Sequence, residues 1–454
     1  MTDNNDKKSH QQRSFINAEI QQKLQQLLTD LQLDDAPAGG SLVVYQAGNC
    51  IAKASVGMAQ ADKPWQSDTL SINFSTGKGV LATLVHVLVS NGLLDYDKPI
   101  ADYWAAFANN GKADITLRAV LSHQANLFAL NSIDADSETF LDWEAMLAKV
   151  AAMPITEPDN ASAYDSSYSA LVYGWIVGGL IEAVTDMSLA DALQRYLTEP
   201  LGIADSCYFG VPDNKVDEVA KLVKDFETSK ADSGQLRSKR HKPTLKPDSE
   251  QTLATYASLP SYQRWQQLAS TDSNLESANE RLSANKINRL YFDHAAINAS
   301  NYRAALVPAN KQPIDYHDKL TMQAVIPAAN GVASAQALAR VYALLANGGT
   351  WQGQTLIDAA TFAQLATPQV SGRDAVMPAH MNWRLGYHRL FSIGDNTDAE
   401  SGFGHMGYNG SVAWCDPTRQ LSFAFVHNFD VTMLNDIRQF ALTEALLAYI
   451  DDTL

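Results

Sequence analysis

Cysteine is scarce: Cys50, Cys207 and Cys415 are the only three in 454 residues. An odd, scattered set offers no disulfide framework and no C-x-x-C metal spacing. The ten histidines are dispersed and no H-E-x-x-H occurs, so no metal and no cofactor is expected. Positive charge is also short. Lys+Arg is 34 against 50 Asp+Glu, a net charge of −16, which argues against a general attraction to nucleic acid or to an anionic membrane. Long apolar runs are missing. The longest uncharged apolar-rich one, Ala170 to Ile181, falls well below the roughly 20 residues that span a bilayer. Met1 to Ser14 is polar and lacks the apolar centre of a secretory signal. These absences together lead to the expectation of a reduced, soluble, cytoplasmic protein that acts on a small molecule.

What is present is the composition of a globular protein, 46% hydrophobic and 19% charged, and a length of roughly two to three domain-sized units. After a polar tail (1–14), apolar residues at helical spacing (Ile20, Leu24, Leu27, Leu28, Leu31) predict a helix from Phe15 to Leu33. Two strand-like runs follow, Ser41 to Gln46 and Ile51 to Val56, joined at Ala47-Gly48-Asn49 as a hairpin. Helical patterns then dominate: one through Val80 to Leu88, then Ser137 to Ala152, Ser167 to Val184 and Ser188 to Leu197. The stretch from about 224 to 313 is polar and carries a cationic cluster, Lys230, Arg237, Lys239, Arg240, His241, Lys242 and Lys246. It reads as a solvated insertion with short amphipathic helices such as Tyr262 to Leu268. Beyond Val325, Ser334 caps a helix over Ala335 to Ala346. Strand patterns recur at Trp383 to Phe391, Gly410 to Asp416 and Leu421 to Asn428, before a last helix from Met433 to Ile450. The expected class is α+β. Residues 15–78 and 325–454 would form a sheet domain with terminal helices, and 79–324 a mostly helical domain, with the site in the cleft between them.

The sharpest local signal is Ser75-Thr76-Gly77-Lys78 at the start of the Val80 helix. This spacing sets a hydroxyl and an ammonium one turn apart on one face. Serine needs such help, because a free alcohol is a poor nucleophile. Two further segments lie far along the chain: Tyr164-Asp165-Ser166 before an apolar helix, and Gly404-His405-Met406-Gly407-Tyr408 leading into a strand. Gly402 to Gly407 also fits G-x-G-x-x-G, but it precedes a strand pattern and not a helix, which excludes a dinucleotide fingerprint.

In this order the segments resemble the serine β-lactamase and penicillin-binding-protein superfamily, in its class C β-lactamase-like branch, with the family VIII carboxylesterases nearest. Gly92 to Pro99, Ile115 to Gln124 and Pro327 to Ala335 carry the same likeness. The resemblance implies a β-lactamase/transpeptidase-like fold and a serine hydrolase working through an acyl-serine. By it, Ser75 is the nucleophile, Lys78 holds and tunes it, and Tyr164 is the general base. The Ser75 and Tyr408 backbone N–H groups form the oxyanion hole, and Ser166, His405 and Gly407 meet the substrate. Lys78 and His405 would supply the positive potential that a tyrosine needs to act as a base. Two departures tilt the expectation toward a carboxylesterase for short-chain acyl esters: Ser166 stands where the family has Asn, and His405 where β-lactamases have Lys. The alternatives are a β-lactamase, D-aminopeptidase or D,D-carboxypeptidase-like amide hydrolase, and a non-catalytic binding protein on the same fold. His123 and His427 read as structural.

Overall fold

In the computed structural model, residues 15–32, 38–222, 249–271, 281–312, 314–393 and 397–452 are described. The polar tail and the cationic cluster from Lys230 to Lys246 lie outside them. The first helix, α1 (Ala18–Asp30), starts where the Asn17 side chain accepts the Glu19 and Ile20 N–H groups. It buries the expected stripe of Ile20, Leu24, Leu27 and Leu28. Strands β1 (Gly40–Gln46) and β2 (Asn49–Val56) form the hairpin, with Ala47 and Gly48 both at positive φ. The sheet is completed from the other end of the chain by β3 (His388–Arg389), β4 (Phe403–Met406), β5 (Val412–Asp416) and β6 (Leu421–His427). Its order is β3-β4-β5-β6-β1-β2, antiparallel throughout. Of the run Trp383 to Phe391 read as a strand, only His388–Arg389 pairs.

Both faces of the sheet are covered. Two more helices lie in this part of the chain, Ala335–Ala346 and Arg438–Asp451. The Ser422 hydroxyl donates to the Ala339 carbonyl of the first, while Trp414, on the opposite face, donates through its indole N–H to Thr443 of the second. Strand β1 is therefore buried on both sides for most of its length, which explains its continuous apolar run.

The long apolar helix α2 (Gly77–Ser90) is buried from Gly77 through Leu88. Such a helix must satisfy its few polar side chains internally. Thr83 meets the Tyr387 hydroxyl at 2.7 Å, and His86 lies 2.7 Å from the Tyr96 hydroxyl and 2.9 Å from the Leu385 carbonyl.

Residues 249–271 and 281–312 correct the reading of a solvated excursion. The helices that carry Trp265 and Tyr291 are anchored to the C-terminal helix through Tyr291. The Trp265 indole donates to Tyr291, whose hydroxyl donates to Glu444, and the Tyr291 and Phe440 rings stack at 3.9 Å. Trp265, Ile287 and Phe292 are fully buried. The polar composition hid a few large apolar anchors, which are sufficient to seat short helices.

Burial holds His86, His388 and His427 down at about 3. In the unfolded chain each would titrate near 6.5. Below that pH the unfolded chain binds protons that the native state refuses. These three histidines are therefore expected to lower stability as pH falls below 6.5, by roughly 1.4 kcal/mol per histidine at one unit below. Urea midpoints at pH 7.5 and 5.5 check this; equal midpoints contradict it.

Candidate active site

Ser75 sits in a short 3-10 turn, Phe74–Thr76, that runs directly into α2. Phe74 is held at φ +50. A bulky side chain at positive φ is costly and persists only where its surroundings enforce it. Here the turn is fixed on two sides: the Asn73 N–H donates to the Gly331 carbonyl, and the Thr76 hydroxyl to that of Ser411.

Lys78 is completely buried, one turn beyond Ser75. Its Nζ lies 2.8 Å from Ser75 Oγ and 2.7 Å from each of the Ala170 and Ala328 carbonyl oxygens. Burial drives its pKa well below the ordinary lysine value. Two of its partners are carbonyls that can only accept; the third, the Ser75 hydroxyl, can accept from the ammonium or, once the amine is neutral, donate into its lone pair.

The tyrosine beside this pair is Tyr168, not Tyr164. Tyr168 lines the cavity at Ser75, interacts with the Ser75 side chain and lies under Lys78 Nζ, which is 5.0 Å from its ring centroid. Tyr164 is half-buried and lines neither cavity that contains Ser75. The misplacement has a physical source. The pattern from Ser167 to Val184 reads as one helix, yet the helix α3 is Val172–Thr185. Residues 167–170 are instead pulled into an open loop by distant partners. The Ser167 N–H donates to the His123 carbonyl, the Ser169 N–H to His123 Nδ1 and the Ser169 hydroxyl to the Leu127 carbonyl. A second tyrosine four residues on, directly before the apolar run, was the one available signal.

Three other expectations change with it. The Ser166 hydroxyl is buried and donates to Asp374 Oδ2 at 2.7 Å, so it is turned away from any substrate. His405 does line the inner cavity, but burial holds its pKa well below the usual range. It supplies no positive charge. Its Nδ1 lies 3.0 Å from the Met406 carbonyl, and its Nε2 has no hydrogen-bond partner among the described residues. The Tyr168 hydroxyl is not made a base by cations; burial raises its pKa, and the Ser75 interaction offsets only part of that. Gly407 acts through close approach, since a Cβ there would lie 2.3 Å from the Asn73 carbonyl oxygen. That contact lays the β4 end alongside the Ser75 turn, where the Tyr408 ring is 5.9 Å from that of Phe74. His123 and His427 are buried and accept backbone N–H groups.

Ser75 stands at the junction of two spaces. The inner one, about 30 Å³, is walled by Tyr168, Trp383, Leu306 and the methionines Met377, Met381, Met406 and Met433. The outer cleft, about 600 Å³, is lined by Phe74, Tyr302, Val307, Lys311, Tyr316 and Tyr408 among others. Tyr302 and Leu306, which border both, belong to the helix Ala299–Leu306. The polar segment thus contributes directly to the pocket.

The Beta-lactamase family matches residues 20–447. Over 398 residues the chain is 33% identical to the Esterase/beta-lactamase LipL of Mycobacterium tuberculosis, covering 86% of this chain and 77% of that protein. Its fold is similar to that of a novel penicillin-binding protein homologue from Caulobacter crescentus, with a TM-score of 0.66 and 28% identity over 95% of this chain and 98% of that one. A family VIII carboxylesterase gives a TM-score of 0.70 at 25% identity, again covering 95% and 98%.

Proposed function

The chain belongs to the Beta-lactamase family and is a serine hydrolase, and from that premise we propose that it is a carboxylesterase cleaving short-chain acyl esters through an acyl-Ser75 intermediate. The observation that carries this reading is Ser75 Oγ, 2.8 Å from a buried lysine and beside Tyr168, at the mouth of a cavity of about 30 Å³. That volume accommodates one or two waters, and hence an acyl group of a few carbons. The open cleft suits the alcohol, which must leave while the acyl group stays.

Burial moves the two proton carriers in opposite directions, each to its neutral form: Lys78 toward the free amine, Tyr168 toward the intact phenol. Lys78 Nζ takes the Ser75 proton as Oγ attacks the ester carbonyl. That proton is returned to the departing alkoxide through the Tyr168 hydroxyl, which gives its own proton and takes that of Lys78. Water entering after the alcohol leaves is activated by the reverse sequence. The Ser75 and Tyr408 N–H groups are the donors assigned to the oxyanion; one such donor is typically worth about 2.7–4 kcal/mol.

Neutral His405 offers no charge to a lactam carboxylate, which favours esters. A second reading, hydrolysis of lactams or D-amino-acid amides, is supported by the likeness to LipL and to the penicillin-binding protein homologue. Kinetics on p-nitrophenyl acetate, butyrate and octanoate, beside nitrocefin and a D-amino-acid amide, separate the two. Highest kcat/KM is expected on acetate or butyrate, with a sharp fall at octanoate. Efficient lactam or amide cleavage with negligible ester turnover overturns the esterase reading. Absence of any turnover and of fluorophosphonate labelling at Ser75 points to a non-catalytic binding protein.

Among the described residues no helix is long and apolar enough to cross a membrane. All three cysteines are free, which supports a reducing, cytoplasmic setting.

A further inference from the structure

Asp374 lies in the loop that precedes Trp383 and is only 5% exposed. A carboxylate removed from water needs its oxygens filled by donors. Those of Asp374 receive five. Oδ1 accepts the Tyr168 N–H at 3.2 Å and the Val376 and Met377 N–H groups at 2.9 Å each. Oδ2 accepts the Ser166 hydroxyl at 2.7 Å and the Trp383 indole N–H at 3.0 Å. All five donors are neutral, and three of the five residues meet the reaction site. Tyr168 carries the hydroxyl beside Ser75, Trp383 stacks on the Tyr168 ring at 5.3 Å and 11°, and Met377 walls the inner cavity. The backbone reinforces the junction: the Ala375 N–H donates to the Ser166 carbonyl and the Asp165 N–H to that of Arg373.

We propose that Asp374 is a positioning residue for the hydrolysis, its buried carboxylate tying the Tyr168 backbone, the indole stacked behind the Tyr168 ring and the Met377 wall into one frame. The proposal rests on the esterase reading above and on Tyr168 as the proton-transferring group. Without the carboxylate the loop at 167–170 would lose the acceptor that holds it open at Tyr168, and the ring would lose its backing. The hydroxyl would then be displaced from Ser75, and a displacement of about 1 Å is enough to cost roughly 10²-fold in rate. The negative charge also opposes ionisation of Tyr168, which keeps the proton where the leaving oxygen needs it.

The test compares wild type, Asp374→Asn, Tyr168→Phe and the double variant on p-nitrophenyl acetate. Asp374→Asn is expected to lower kcat by about 10–100-fold with KM changed less than kcat, since every lining side chain is kept and the outer cleft holds its walls. In the Tyr168→Phe background the same substitution is expected to lower kcat less than three-fold, because the group it positions is already gone. Ser166→Ala removes one donor from Oδ2 and keeps the carboxylate. It is expected to lower kcat by about two- to five-fold, and it carries the test if Asp374→Asn does not fold. Wild-type kcat in Asp374→Asn or, should that variant be unfolded, in Ser166→Ala overturns the proposal. So does a loss in Asp374→Asn that multiplies undiminished with Tyr168→Phe. Failure of the esterase reading would look different: wild type itself would turn over no ester.

Discussion

A Tyr168→Phe enzyme is expected to lose about 10²–10⁴ in kcat, the range for removal of a positioned proton-transfer group, while Tyr164→Phe keeps kcat within a few-fold of wild type. The ring of Tyr168 is buried between Lys78 and Trp383, so the phenylalanine variant retains the packing and loses only the hydroxyl. KM should move little, because no substrate-facing apolar wall is changed. Steady-state kinetics on p-nitrophenyl acetate for the two variants decide the matter. The reverse pattern, a crippled Tyr164→Phe beside an active Tyr168→Phe, would return the proton-transfer role to Tyr164 and refute the mechanism drawn from the cavity.

The second large effect concerns the buried amine. Lys78→Arg keeps a permanent charge and removes the lone pair. It is expected to lower kcat/KM by at least about 10²-fold, and Ser75→Ala is expected to abolish hydrolysis and fluorophosphonate labelling together. The sign of the pH dependence follows from the same role. Lys78 must be unprotonated to take the Ser75 proton, and its pKa lies well below the ordinary lysine value. Activity in the wild type should therefore rise with pH through that depressed pKa and be lost on the acid side. Acid loss of stability from the buried histidines acts in the same direction, so rates are measured over times short against unfolding. A Lys78→Arg enzyme with near wild-type kcat/KM would exclude lysine as the base.

These two side chains show how far local pattern reaches. Ser75 and Lys78 are three residues apart at the head of an apolar helix, and helix spacing puts them on one face, where their side chains meet at 2.8 Å. The same holds for the β1–β2 hairpin, the Ser334-capped helix and the β5–β6 hairpin at Asp416-Pro417: each is specified by residues close in sequence, and each was legible there. The segment Gly404 to Tyr408 was read as leading into a strand, whereas Phe403–Met406 is itself a strand; the family likeness was carried by several such local segments at once. His405 was read as a source of charge because composition does not reveal burial.

The chain's own order of residues thus determined the α+β class, the β-lactamase-like architecture and the juxtaposition of Ser75 with Lys78, because those depend largely on short-range periodicity, caps and turns. Tertiary structure alone decided which tyrosine reaches Ser75. Tyr164 and Tyr168 differ little in their immediate neighbours, but only the second is drawn out of the helical pattern, by His123, Leu127 and Asp374. It also decided that a polar segment seats helices through Trp265 and Tyr291 and lines the cleft. Hydrogen bonds to acceptors tens to hundreds of residues away, and the low dielectric of a buried cavity, have no local sequence signature.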